Sequence, residues 1–206
     1  MSLLFSIFPQ LNDWRGGDIP KWSEGRFPWQ ILEKDEDSLK SQITKLIVNE
    51  SDVFIHPNAL IGDFVTIEGP SFIGSNAIIR SGAYLRGGSW ICEGALVGHC
   101  SEIKNSVLLP NSKAPHFNYV GDSVVGFGAN LGAGVKLSNV RHDKSDIAVS
   151  LEDGTRIDSK LSKFGALVGD GAKIGCNAVT NPGAIIPPGA MIPPNLTVSG
   201  WFGTKS

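Results

Sequence analysis

The sequence predicts an all-β fold, a parallel β-helix wound from six-residue repeats, on three observations. An aliphatic residue recurs every six positions over most of the chain. A small or β-branched residue recurs four positions after it. Glycine and proline number 25 and 12 in a chain of 206 residues, and both are the residues that tight turns need.

Stepping by six from Ile55 gives Ile61, Ile67, Ile73, Ile79, Leu85, Ile91, Val97, Ile103 and Leu109. If roughly a quarter of residues are aliphatic, ten successive hits arise by chance on the order of one time in a million. Four residues after the first nine stand Ala59, Val65, Ser71, Ala77, Ala83, Ser89, Ala95, Ser101 and Val107. The period resumes at Val125, Leu131 and Leu137, and again from Val168 through Ile174, Thr180, Ile186 and Ile192 to Val198. A period of six fits neither the 3.6-residue helix nor the two-residue strand. It fits short flat strands joined at tight corners, three hexapeptides to a coil. The aliphatic residue points inward and the small residue lets the chain turn. Glycine after the aliphatic position, as in Ile61-Gly62 and Val97-Gly98, supplies permissive φ. No coil buries its own inner face, so the core forms only by stacking.

The period fails twice, and solenoids carry their functional insertions where the repeat breaks. The first break lies between Leu109 and Val120. The second runs from Ser138 to about Leu161 and is rich in charge, with Asp153-Gly154 as a hairpin turn signal. Residues 1–50 do not repeat. Trp14, Trp22 and Trp29 cluster there, and Glu33 to Val48 carries Leu39, Ile43, Leu46 and Ile47 at helical spacing. The expected organisation is therefore an N-terminal cap and linker with an amphipathic helix over 1–50. A β-helix domain follows over 51–206, with loop insertions at about 110–119 and 138–161. The cap is expected to cover the first coil, because an open β-helix end exposes strand edges. Trp201 and Phe202 are expected to fold over the last.

Composition narrows the function. A net charge of −2 leaves no basic footprint for nucleic acid. No apolar run is long enough to span a bilayer, and Met1–Phe8 lacks the basic start of a signal peptide. Cys92, Cys100 and Cys176 cannot all pair and form no C-x-x-C motif. The expectation is a cytoplasmic protein with reduced thiols, binding neither nucleic acid nor membrane.

The stretch Leu85–Asn139, LRGGSWICEGALVGHCSEIKNSVLLPNSKAPHFNYVGDSVVGFGANLGAGVKLSN, carries a resemblance. It is similar to the acetyltransferase half of the bifunctional glucosamine-1-phosphate N-acetyltransferase/UDP-N-acetylglucosamine pyrophosphorylases. A later segment, KFGALVGDGAKIGCNAVTNPG, resembles the C-terminal domain of archaeal sugar-1-phosphate nucleotidylyltransferases. The strings EIKNS, KAPHFNYVGD and NLGAG are the specific part of a likeness spanning roughly residues 80 to 200. The resemblance implies a left-handed parallel β-helix, whereas the general rule for parallel crossovers is right-handed. It implies acetyl-CoA as co-substrate, an amino-sugar 1-phosphate as acceptor, and a homotrimer with sites between neighbouring prisms. PWQIL at Pro28–Leu32 resembles the linker that follows the nucleotidylyltransferase half in these relatives. The glycine-rich signature of that half is absent, so nucleotidyl transfer is not expected.

Acyl transfer to an amine needs a base for the ammonium proton and donors for the developing oxyanion. A sugar phosphate needs cations. The resemblance implies His116 as the general base, and histidine is suited to proton transfer near neutral pH. Arg86 and Lys104 stand 18 apart, one coil, and so stack on one face; the resemblance gives these positions to the sugar phosphate. Tyr119 and Asn130 match positions that contact the amino sugar. Asn139 matches one that positions the sugar or reacting group, and Lys144 matches a lysine of the same loop. Ala133 and Cys176 fall where relatives contact acetyl-CoA. Two departures stand out: Val140 replaces a common tyrosine, and Cys176 a common serine, a weaker donor. His56, His99, His116 and His142 lack the paired spacing of metal-binding β-helices, so no metal is expected. The alternative is a non-catalytic sugar-nucleotide-binding scaffold partnering a separate nucleotidylyltransferase. A third reading is transfer to a hydroxyl or to a nucleotide-linked sugar.

Overall fold

The structure, a computed structural model, describes residues 2–47 and 51–203. From Val53 to Val198 the chain winds as a left-handed parallel β-helix. Its coil has three faces. The first holds Val53–Ile55, Ser71–Ile73, Val124–Val125, Ala166–Val168 and Ala184–Ile186. The second holds Leu60–Ile61, Ile78–Ile79, Leu96–His99, Lys113–His116, Asn130–Leu131, Lys173–Ile174 and Met191–Ile192. The third holds Thr66–Ile67, Tyr119–Gly121, Lys136–Leu137, Val179–Thr180 and Thr197–Val198. Two long strands, Tyr84–Ile91 and Glu102–Leu108, turn the corner from the third face onto the first.

Every strand pair along the coil is parallel, and partners stand 18 residues apart in the early coils, as in Val53↔Ser71 and Ile78↔Leu96. The inward residues therefore stack in columns. Ile73, Ile91, Leu108, Val125, Val168 and Ile186 fill the inside of the first face, and all are buried. Ile79, Val97, Ala114, Leu131 and Ile174 do so on the second, and Leu85, Ile103, Val120 and Leu137 on the third. The aliphatic period is this stacking.

The first break in the period is not a loop. Lys113–His116 is a wall strand, paired with Leu96–His99 on one side and with Asn130 on the other. What changes is the length of a corner. Ile103 and Leu108 are five apart rather than six, and Val120 and Val125 repeat the shortening, so partners such as Val107↔Val124 stand 17 apart. Leu108 thus takes the inward place, and Leu109 packs outside it in the second apolar cluster. The shortened corners put Asn105 and Asp122 in the left-handed region, at φ 45 and 44. Asn and Asp tolerate that conformation where most residues do not. Ser106 completes the corner: its hydroxyl donates to the Lys104 carbonyl at 2.8 Å and accepts the Ser123 N–H at 3.0 Å.

The N-terminal segment lies along the flank of the coil rather than over its end. The outward residues of the first face are themselves apolar: Phe54, Phe72, Trp90, Val107, Val124, Leu167 and Ile185. Phe54 stacks on Phe72 with ring centres 4.9 Å apart, and Phe72 packs at a tilt against Trp90 at 4.7 Å. Ile7, Phe8, Trp29, Leu32, Leu39 and Ile43 bury this ridge. The buried Asp170 carboxylate joins the two parts, accepting the N–H groups of Gln10 and Phe127 at 2.9 Å each. Burial raises its pKa. The first coil stays open, with Ile55 and Ile61 exposed.

The expected helix over 33–48 is shorter, Leu39–Leu46, and Val48 lies outside the described residues. Arg26 draws Glu33, Asp35 and Asp37 around its guanidinium, which holds that stretch in turns. Ser38 then caps the helix, its hydroxyl accepting the Ser41 N–H at 3.3 Å. The second break forms the antiparallel hairpin Ala148–Ser150/Arg156–Asp158. It folds back onto the first face, where Ile147 and Val149 are buried in the same cluster as Trp29. Phe202 packs against the last inward residues of the coil. Among the described residues no helix is long and apolar enough to cross a membrane.

Trp90 sits at the centre of the covered ridge and is 2% exposed. Replacing it with Ala should lower stability by about 3–5 kcal/mol, the usual cost of deleting a buried aromatic. Urea unfolding followed by circular dichroism measures this as a fall in midpoint.

Candidate active site

The site is built from columns. On the third face Tyr84, Glu102, Tyr119 and Lys136 stand in register on successive coils. Two positions on, Arg86, Lys104 and Gly121 form the next outward column. Arg86 and Lys104, 18 residues apart, are thus direct register partners. Each cation also has a carboxylate partner. Arg86 donates to Glu102 at 3.0 Å, which raises the guanidinium pKa. Lys104 Nζ donates to Asp122 Oδ2 at 2.6 Å.

Asp122 is the hub, and the sequence reading gave it no role. It is 4% exposed. Besides Lys104 it accepts the Asn105 amide at 3.0 Å and the Asn139 amide. Asn139 Oδ1 in turn accepts the Tyr119 hydroxyl at 3.3 Å. Burial, helped by the charges of Glu102 and Asp122, raises the Tyr119 phenol pKa. Lys104, Asp122, Asn139 and Tyr119 therefore form one connected polar network. The signal for Asp122 was available: it sits in a tight five-residue step, where a left-handed corner favours Asp or Asn.

A second column runs along the edge between the second and third faces. His116 pairs with His99. The His116 carbonyl accepts the Gly134 N–H at 2.9 Å and the Ala133 carbonyl the Asn177 N–H at 2.8 Å. That sets Ala133 over His116's coil and Cys176 one coil further along. His116 and Cys176 are exposed and Ala133 half-buried. His116's ring has no hydrogen-bond partner among the described residues, and its backbone N–H donates to Asn118 Oδ1 at 3.0 Å. His99 is held differently, with Nδ1 2.7 Å from the Ser81 carbonyl and its ring edge-on to Phe117.

The chain therefore gathers Arg86, Lys104, Tyr119 and Asn139 on one face, and His116, Ala133 and Cys176 on the neighbouring edge. It does not bring Asn130 to them. Asn130 stands on the second face between Lys113 and Lys173. Lys144 is also separate, exposed in the first turn of the insertion beside the Arg141–Asp143 ion pair. Val140 is exposed, directly after the buried Asn139. No cluster of three metal-ligating side chains occurs among the described residues.

The coil and these columns define a hexapeptide-repeat β-helix. Its relatives are specific. The chain is 35% identical over 162 residues to the bifunctional protein GlmU of Methanococcus vannielii, covering 72% of this chain and 37% of that protein. It is 33% identical over 157 residues to the bifunctional sugar-1-phosphate nucleotidylyltransferase/acetyltransferase of Sulfurisphaera tokodaii, covering 76% and 37%. The chain thus spans a little over a third of the length of the relatives it matches, and it is homologous to their acetyltransferase part. No protein-family model matches it. Similar solved structures include a putative acetyltransferase from Desulfovibrio desulfuricans, at 22% identity and TM-score 0.38 over 71% of this chain and 27% of that one. Another is the acetyltransferase domain of PglB from Neisseria gonorrhoeae, at 19% and 0.31 over 77% and 61%.

Asp122 satisfies three donors from a nearly closed position, so Asp122→Ala strands a part-buried ammonium and two amides. We expect a loss of about 3 kcal/mol, the lower range for breaking a buried ion pair, read from the denaturation midpoint. Lys104→Met in the same background should recover part of it, because the unpaired charge is gone.

Proposed function

We propose that the chain is an acetyl-CoA-dependent N-acetyltransferase whose acceptor is an amino sugar carrying a phosphate at its anomeric carbon, an amino-sugar 1-phosphate being the simplest. The observation that carries this reading is the Lys104–Asp122–Asn139–Tyr119 network, joined on the same face to Arg86. It supplies two cations for a phosphate and an amide and a phenol for sugar hydroxyls. Arg offers a planar fork and Lys a point charge, which suits a phosphate held between them.

In this reading His116 takes the ammonium proton, and the free amine attacks the thioester of the acyl donor. Its exposed ring leaves both nitrogens open to substrate. Asn139 orients the sugar, steadied by Asp122. Small residues at Ala133 and Cys176 leave the edge open for the donor, and a backbone N–H near Ala133 meets the oxyanion.

Asn130 belongs to the same site only if a second copy supplies it, because it lies on a different face from Tyr119. We therefore place the site between neighbouring prisms of a homotrimer. Leu60, Ile78 and Leu96 form an outward apolar column on the second face, with Leu60 63% exposed, and such a column suits burial against another chain.

The test is thiol release from acetyl-CoA with glucosamine 1-phosphate or galactosamine 1-phosphate. His116→Ala should lower turnover about 100- to 10,000-fold, the usual contribution of a general base, with acceptor affinity retained. Absence of turnover on every amino-sugar phosphate while ligands still bind would favour a binding scaffold instead.

A further inference from the structure

A cleft of about 650 Å³ opens beside the network and shares Lys104 and Asp122 with it. Its size lies in the ordinary range of small-molecule sites, roughly 300–1,000 Å³. Three separate pieces of chain wall it. Glu33, Lys34 and Lys40 come from the N-terminal segment; Lys104, Asn105 and Asp122 from the shortened corners; Lys160 to Lys163 from the return of the insertion.

The charge in the cleft is lopsided. Five lysines face two carboxylates, and both carboxylates are engaged. Asp122 holds Lys104, Asn105 and Asn139. Glu33 accepts from Arg26 at 2.5 Å and from Gln30 at 3.1 Å. Lys34, Lys40 and Lys163 make no ion pair among the described residues, and Lys160 pairs only with the exposed Asp158. The Lys40 stem lies over Gly88, where a Cβ would meet its Cε at 3.0 Å and the Asn105 Oδ1 at 2.5 Å. Lys40 thus stands over the same corner that carries Asn105. Unpaired like charges converging on one concave site repel one another, and a multivalent anion relieves that repulsion.

We propose that the cleft is a second phosphate subsite, so that the acceptor site takes a diphosphate ester, a nucleoside-diphosphate-linked amino sugar, in preference to an amino-sugar 1-phosphate. The proposal rests on the reading above and specifies its substrate class. Lys104 and Asp122 belong to both the network and the cleft wall, so an anomeric phosphate at Lys104 points its next ester bond into the cleft. The second phosphate then meets Lys34, Lys40 and Lys163, and the nucleoside occupies the remaining volume. The donor CoA also carries a diphosphate, but the residues matched to it, Ala133 and Cys176, lie on the edge with His116, across the third face from this corner.

The experiment is equilibrium binding by calorimetry of three probes: UDP-linked glucosamine, glucosamine 1-phosphate and CoA. Wild type should bind the UDP-linked sugar at least tenfold more tightly than the 1-phosphate. K34E/K163E, and the neutral K34M/K163M, should bring that ratio to within twofold of unity. Both substitutions fall on exposed side chains, and an unchanged melting temperature checks the fold. Three results overturn the proposal: equal affinity for the two sugars in wild type, a ratio that survives both variants, or a loss confined to CoA. Binding is read without turnover. A tenfold preference with no acetylation of either sugar would therefore sink the transferase reading and leave the subsite standing.

Discussion

Parallel hydrogen bonding between successive coils is the constraint on which the rest of this molecule depends. Each coil is held to the next by backbone N–H and carbonyl groups, such as Gly62 to Ile79, Gly74 to Ile91 and Gly132 to Ile174. A residue is therefore fixed above its counterpart 17 or 18 positions away, or 43 where the insertion intervenes. Neighbours in a column are about 4.8 Å apart, so each side chain has to be compatible with the ones directly above and below it. Aliphatic columns make the interior. Charged and polar columns cannot be isolated either, which is why Arg86 and Lys104 each face a carboxylate. The scaffold thus turns a one-dimensional spacing into a surface on which functional groups repeat.

The same rule explains the N-terminal segment. An inward column is closed by its own coil, but an outward apolar column needs a cover. On the first face the outward column runs from Phe54 through Trp90 to Ile185, and residues from Ile7 to Ile43 provide the cover together with the inserted hairpin. Both non-repeating parts of the chain are thereby recruited to one face. That face is closed, and the second and third are left open. The cover also brings Lys34 and Lys40 to the corner that carries Asn105, so packing of the flank shapes the cleft.

Much of the fold was legible because a six-residue period admits few structures. The left hand was not; it came through family likeness. The lateral cover was missed although its signal was present. An apolar residue directly precedes the inward one at Phe54-Ile55, Phe72-Ile73, Trp90-Ile91, Val107-Leu108, Val124-Val125, Leu167-Val168 and Ile185-Ile186. Two adjacent apolar residues once per coil mean a strand buried on both sides. The first break was misplaced because stepping by six ran one residue past a shortened corner. Leu109 is also aliphatic, so the error produced no visible mismatch. Arg86 and Lys104 could be paired from arithmetic alone. For Asp122 only the corner position could be read; its role as hub comes from Asn139 reaching back across one coil, and spacing does not report side-chain direction.

The division of polar groups between faces carries the last step. Adjacent faces of a three-sided prism turn away from each other, so a small ligand on the third face cannot also touch the outward residues of the second. Tyr119 and Asn130 are eleven residues apart in sequence and on different faces. If both serve one sugar, as proposed, the third face of one chain has to meet the second face of another. The second face is furnished for that meeting in its own register. Its outward column runs Leu60, Ile78, Leu96 and then Lys113, Asn130 and Lys173, apolar where chains would pack and polar at the coils level with His116 and Tyr119. The coil that carries His116 thus also carries the residues a neighbour would present, and a symmetric assembly would complete every site with the same two surfaces.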